Sequence, residues 1–398
     1  MNASTLKGHL SPNLRGILST LIIFFSTGAY MPFVNLAFDN RGISESQIGM
    51  LGALPGILVI LVTPFVSRLA DQRRMRLIFA GVGFMVAAIF IGLQMVPLGF
   101  WWLLIMQLCI AVVNGPLSPI TSAVMVRMAR KYDIEYGNWR LWGSFAFASA
   151  AFLMGLFWQQ VGIQWLFLGA WILTTLAGLS IFLLEEPEPD TTVKVVLPGN
   201  NAVNWLPKQA VVWLFLLAAF FANAGMVSFN QYSAIYMIRL GGAASLAGLM
   251  RTASALVEIP TMYFASKLEK KIGALGVFFI SVVVFAIAWF LFSVATEPWM
   301  LIAITAFRGI GFGFATVSAV VFLDSKARVS EAASYQSLYS SLVFGVAPLL
   351  AGPLFGFIAE RQGMPIMYRI ASLVGSLGIV FMLAAFYANR HERPIIAA

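Results

Sequence analysis

Apolar stretches long enough to cross a bilayer follow one another along the whole chain, with short polar breaks between them. A spanning helix needs roughly 20 apolar residues. The stretches 15–38, 45–67, 77–96, 101–126, 138–158, 164–184, 210–238, 245–266, 274–293, 299–323, 333–358 and 366–388 have that character. The pattern predicts an all-α membrane protein of twelve transmembrane helices. One break is long: EEPEPDTTVKVVLPGNNAVNWLPKQ, residues 185–209. Its Pro, Asn and acidic content cannot bury apolar area, so it reads as a cytoplasmic linker. It divides the chain into two six-helix halves, 1–184 and 210–398.

Charge orients the helices. Alternate loops hold Arg68, Arg73, Arg74, Arg76, Arg127, Arg130, Lys131, Lys267, Lys270, Lys271, Lys326 and Arg328, while the loops between them hold Arg41, Arg239 and Arg361. The positive-inside rule then places both termini and the even-numbered loops in the cytoplasm of a multi-pass inner-membrane protein. The same placement accounts for the net charge of +9 without nucleic acid, since cytoplasmic loops meet anionic lipid. Asp39 and Glu45, at the outer mouth, read as interfacial residues.

Composition narrows the function. The chain is 60% hydrophobic and 10% charged, against about a quarter charged in soluble domains. No length remains for a soluble catalytic domain. The first apolar stretch is longer than a signal-peptide core and lacks a small-residue cleavage site, so it reads as a retained helix. The two histidines, His9 and His391, lie in the tails, and the single cysteine, Cys109, lies in an apolar run. A metal site, a cofactor, an intrachain disulfide and enzyme chemistry are therefore not expected. Gly309-Ile310-Gly311-Phe312-Gly313 mimics a nucleotide loop, but it lies in a membrane helix with no preceding strand or Walker lysine. With Asn114-Gly115-Pro116-Leu117-Ser118-Pro119 on helix 4, it reads instead as a place for close packing and bending.

The halves repeat. At an offset of 199 residues Ser46 matches Ser245, Gly49 matches Gly248, Ser67 matches Ser266, Leu69 matches Leu268 and Tyr136 matches Tyr335. A repeat of six helices marks carriers whose halves rock around a central site. Charge rings or a carbonyl filter, which would mark a channel, are not visible. One chain holds both halves, so a monomer suffices.

Three stretches resemble the major facilitator superfamily, within it the lactose permease and phenylpropionate permease group. They are Gly28-Ala29-Tyr30-Met31-Pro32-Phe33 with Ile43-Ser44-Glu45-Ser46-Gln47-Ile48-Gly49; Ser67-Arg68-Leu69-Ala70-Asp71-Gln72-Arg73-Arg74; and Glu135-Tyr136-Gly137-Asn138-Trp139-Arg140-Leu141-Trp142-Gly143-Ser144. The resemblance covers essentially the whole chain. It implies the major facilitator fold, two pseudo-symmetric six-helix halves. The second stretch is a degenerate form of the loop 2–3 motif, and its Asp71, Arg73 and Arg74 read as a cytoplasmic gating latch. In the sugar-carrying relatives a helix 4 carboxylate works beside the helix 5 arginine; Ser122 stands in its place here. Where helix 10 of those relatives has a histidine and a carboxylate, this chain has Arg308 and Gly311. Val227 and Asn230 replace the paired acids of helix 7. The fold transfers, and the sugar chemistry does not.

An ionised side chain in mid-bilayer costs about 2.5–3.5 kcal/mol on insertion scales, so such residues need a reason. Glu258 on helix 8 is the clearest. Arg251 lies seven residues earlier on the same face, and Arg308 enters helix 10. A Glu258–Arg308 or Glu258–Arg251 interaction is expected, either as a proton-coupling site or as a structural ion pair. Burial disfavours the carboxylate's charge and a neighbouring arginine favours it, so a conformational change can move a proton. Arg140 has two readings, a snorkelling arginine or, as the resemblance implies, a substrate contact whose fork suits a carboxylate. Asn223, Asn230 and Gln231 share a helix 7 face and either bind substrate or bond to a neighbouring helix. Gln107 and Asn114 on helix 4 have the same two readings. Tyr30, Phe33, Trp142, Phe147, Tyr232, Gln336 and Tyr339 are candidate cavity walls.

These residues point to a secondary carrier, a proton symporter of a small organic solute. The excess of Arg140, Arg251 and Arg308 over Glu258 favours a carboxylate such as an aromatic acid. A sugar or nucleoside symporter, or an efflux carrier of the same fold, is the alternative. The expected partners are the solute, protons and the lipid bilayer.

Overall fold

The computed structural model describes residues 10–72, 75–185, 207–327 and 332–391; the side chains of residues 68, 71, 332 and 333 are outside that description. Eleven helices among these residues are long and apolar enough to cross a membrane. One of them, Ala244–Val294, is two helices joined at Gly273, whose φ of 75° and ψ of 160° are not helical. The count is therefore twelve. They are α1 (Pro12–Asp39), α2 (Glu45–Ser67, continuing to Gln72), α3 (Arg76–Leu93), α4 (Gly99–Lys131), α5 (Tyr136–Val161), α6 (Ile163–Ile181), α7 (Ala210–Arg239), α8 and α9 (Ala244–Val294, divided at Gly273), α10 (Pro298–Lys326), α11 (Ser334–Gln362) and α12 (Met364–His391).

Where the sequence suggests a loop over 267–273, the helix continues to Gly273. Lys267, Leu268, Glu269, Lys270 and Lys271 are good helix formers, and only the glycine adopts a backbone that L side chains avoid. α4 likewise runs unbroken through Pro116 and Pro119. α11 contains a π-helical turn at Leu342–Val346.

The chain forms two compact units, Met1–Thr192 with Ala234–Thr252, and Val193–Ser233 with Ala253–Ala398. In the first, α1 packs on α5 and α6, α2 on α4, and α3 on α4 and α6. Small residues set the spacing. A Cβ on Gly28 would lie 2.5 Å from the Phe147 carbonyl oxygen, and one on Gly178 would lie 2.9 Å from that of Gly81. The end of α7 and the start of α8 join this unit. Thr252 Oγ1 donates to the Ala148 carbonyl of α5 at 2.8 Å, and a Cβ on Gly248 would overlap the Ala151 carbonyl oxygen.

At the loop ends of the first unit, Glu185 gathers three partners. Its Oε1 lies 2.8 Å from Arg15 Nη1, and its Oε2 lies 3.0 Å from Lys131 Nζ and accepts from the Tyr132 hydroxyl at 2.6 Å. These tie α1, α4 and the chain leaving α6 together. Tyr132's hydroxyl, then Arg15 and Lys131, hold the Glu185 carboxyl at about 2, well below the usual glutamate range.

In the second unit, glycines bring α10 against its neighbours. A Cβ on Gly309 would sit 2.9 Å from the Ser254 carbonyl oxygen of α8. One on Gly313 would sit 2.8 Å from Thr261 Cβ, and one on Gly311 would sit 3.0 Å from Phe285 of α9. The three glycines thus pack the helix, as their sequence pattern suggests.

Candidate functional site

Glu258 and Ser254 are one turn apart on α8, and Arg308 and Phe312 are one turn apart on α10, so each pair shares a face. Gly309 lets α10 approach α8 beside them. Arg308 Nη2 then lies 3.1 Å from Glu258 Oε1. Ser254 joins both groups: its Oγ donates to Glu258 Oε1 at 2.5 Å and accepts from Arg308 Nη2.

The rest of the Arg308 surroundings come from α7 and α10. Nη1 points at Met226 Sδ, 3.3 Å away. The guanidinium carbon lies 4.5 Å from the Phe229 ring centroid and 5.5 Å from that of Phe312. Cation–π contact of this kind contributes more where water is excluded, and Arg308 is 4% exposed. Its Nε has no hydrogen-bond partner. The Glu258 side chain is 20% exposed. The pair is thus a buried cation held by a carboxylate that the protein covers only in part. Of the two sequence-suggested partners of Glu258, the structure brings in Arg308. Arg251 belongs to the other compact unit.

Arg140 lies in that other unit, near the start of α5. It is exposed, and its guanidinium stacks over Phe24 of α1 at 4.6 Å. Among the described residues it has no ion pair. Ser122, Tyr30 and Phe147 are half-buried in the same unit.

On α7, Asn223 Nδ2 donates back to the Ala219 carbonyl at 2.9 Å, Asn230 is exposed and Gln231 is buried. On α11, Gln336 Nε2 donates to the Val320 carbonyl of α10 at 3.1 Å, and Tyr339 stacks on Phe215 at 6.3 Å. Both sit within two turns of the π-helical turn, a distortion often found at functional places. Two expected wall residues are core side chains instead. Phe33 and Tyr232 are fully buried, the latter donating its hydroxyl to the Gly352 carbonyl at 3.1 Å. Of the gating residues, Arg73, Arg74 and the Asp71 side chain lie outside the described residues.

Sequence reasoning missed Ser254, Met226 and Phe229. Ser254 had a weak signal, its i−4 spacing from Glu258. The other two had none, because methionine and phenylalanine are ordinary occupants of an apolar helix.

Known proteins supply an independent comparison. Residues 16–370 match the model of the "MFS_1 like family". The "Maltose permease" of Geobacillus stearothermophilus is 22% identical over 91% of this chain and 91% of its own length. The "Probable 3-phenylpropionic acid transporter" of Escherichia coli (strain K12) is 25% identical over 87% of this chain and 91% of its own. Among solved structures, the nucleoside transporter NupG superposes with a TM-score of 0.82 at 15% identity, covering 96% of this chain and all of that one. The similarity to NupG is one of fold.

Proposed function

The chain belongs to the MFS_1 like family of major facilitator transporters, and from that premise we propose that it is a proton-coupled carrier of a small organic carboxylate, working by alternating access across the inner membrane with both termini in the cytoplasm. The observation that carries this reading is the Arg308–Ser254–Glu258 cluster. A permanently charged guanidinium is buried almost completely, and its counter-ion is a side chain that can take up a proton. When Glu258 is protonated, Arg308 loses its counter-charge while remaining too buried for water to replace it. A substrate carboxylate is then the favourable replacement, since charge-assisted bonds to a guanidinium are about twice as strong as neutral ones. Proton and anion would move together, and neither would be stable at the site without the other.

Arg140 supports an anionic substrate from the first unit. Its fork has no acidic partner among the described residues, where Ser122 stands at the place the sugar carriers give to a carboxylate. The relative named for 3-phenylpropionic acid points the same way. The half-buried Phe312 ring, 5.5 Å from the Arg308 guanidinium carbon, suits an aromatic acid. The proposed substrate-contact residues are Arg140, Tyr30, Ser122 and Phe147 in the first unit, and Arg308, Asn223, Asn230, Gln231, Gln336 and Tyr339 in the second.

Thermal unfolding of the purified protein against carboxylates, sugars and nucleosides tests the substrate class. A ligand at 100 times its dissociation constant stabilises by about 2.7 kcal/mol. Stabilisation by aromatic or aliphatic acids, lost in Arg140→Gln, is the expected result; stabilisation by sugars or nucleosides alone overturns it. Coupling is tested with the identified acid in proteoliposomes. Glu258→Gln should abolish uphill accumulation and keep exchange, and intact uphill uptake would remove Glu258 from the mechanism.

A further inference from the structure

The charges at the outer mouth are not scattered. Arg239, the last residue of α7, lies 3.3 Å from Asp39 Oδ1 at the end of α1, and its Nη2 also meets Glu45 Oε1 at the start of α2. In the 199-residue repeat, Arg239 corresponds to Asn40, which stands between those two acids in sequence. The α7–α8 turn therefore grips its own repeat equivalent, the α1–α2 turn.

From these contacts we infer that Arg239, held by Asp39 and Glu45, is the latch that keeps the outer mouth closed. A seam of close backbone contact lies in the same unit. Gly248 leaves no room for a Cβ against the Ala151 carbonyl, a Cβ on Gly155 would sit 3.0 Å from the Ala244 carbonyl oxygen, and Thr252 bonds to the Ala148 carbonyl. Opening toward the outer side must part this seam and break the three-charge contact with it. Their chemistry suits repeated breaking. Glu45 sits at a helix N-terminus and Arg239 at a helix C-terminus, where the backbone dipole favours each charge even when it is alone. The Arg239 side chain is 42% exposed, so water can replace the carboxylates as they leave. The inference needs a carrier that opens outward, and it does not depend on which solute or ion is carried.

Alkylation of a buried cysteine reads the latch without a substrate. The background is Cys109→Ser with Ala247→Cys, a position 1% exposed beside the seam, and the probe is N-ethylmaleimide. An exposed ion pair carries up to about 1 kcal/mol, so Arg239→Gln should raise the alkylation rate up to about fivefold. Arg239→Glu should raise it further, and Arg239→Glu with Glu45→Lys should bring it back down. High salt should mimic Arg239→Gln, because it screens exposed charge. Ala129→Cys, buried near the far end of α4, should keep its rate in every variant. Ala151→Cys replaces Ala247→Cys if that reporter does not fold. An unchanged rate in Arg239→Gln and Arg239→Glu overturns the latch. A parallel rise at Ala129→Cys also overturns it, since the variants would then be loosening the whole protein.

Discussion

Arg308 Nη2 lies 3.1 Å from Glu258 Oε1, and the two partners are buried unequally: the arginine side chain is 5% exposed and the glutamate side chain 20%. That inequality gives the pair a direction. Guanidinium cannot shed its proton inside a protein, whereas a carboxyl can take one up. Removing the acid leaves a fixed charge in an apolar place; removing the arginine leaves a group that can neutralise itself.

Stability should follow this asymmetry. Breaking a buried pair from one side costs about 3–5 kcal/mol. Glu258→Gln should approach that range, and Arg308→Gln should cost clearly less. The double variant should be milder than the sum of the two. A thermal-unfolding double-mutant cycle measures all three. Equal single effects that add would show that the pair is not coupled and that Arg308 is held mainly by Phe229 and Met226.

The Glu185 cluster makes a prediction about pH. Its folded carboxyl sits at about 2, below the unfolded glutamate value of about 4.3. A depressed folded value means the contribution is fully present above the unfolded value and is lost as pH falls through the folded one. Wild-type stability should therefore decline between about pH 4.3 and pH 2, and Glu185→Gln should remove that part of the decline. At neutral pH Glu185→Gln should cost more than Lys131→Gln, because Arg15 is 4% exposed and Lys131 is 48% exposed. Acid unfolding that is identical in wild type and Glu185→Gln would show that the cluster is energetically silent.

What could be read from the chain, and what could not, divides along a physical line. Apolar length is a local property, so the twelve spans follow from it. Glu258 and Arg308 stood out because a charge is costly wherever it sits in an apolar run. Glu185 did not, because its partners Arg15 and Lys131 are 170 and 54 residues away and a linker acid is unremarkable alone. Ser254 was hidden because a helix serine usually bonds its own backbone, and only the arrival of Arg308 from α10 gives it a second role. Periodicity gave no sign that Ala234–Thr252 packs into the first unit. That depends on Gly248 and Gly155 meeting backbone across a helix crossing, and a glycine in a membrane helix has many uses.

Gly248 is accordingly the position where the smallest change should have the largest effect. A Cβ there overlaps the Ala151 carbonyl oxygen, and backbone cannot swing aside as a flexible side chain can. Forced overpacking typically costs about 1–3 kcal/mol. Gly248→Ala should therefore lower the thermal midpoint, although alanine is the better helix former by about 1 kcal/mol. Gly56 on α2 is the control. Nothing lies within 4 Å of a Cβ built there, so Gly56→Ala should show the propensity gain alone and hold or raise the midpoint. The comparison separates packing from propensity, because both substitutions add the same methyl group to a helix interior. If Gly248→Ala is as stable as Gly56→Ala, then the crossing of α5 and α8 has room for a methyl group and is not set by Gly248.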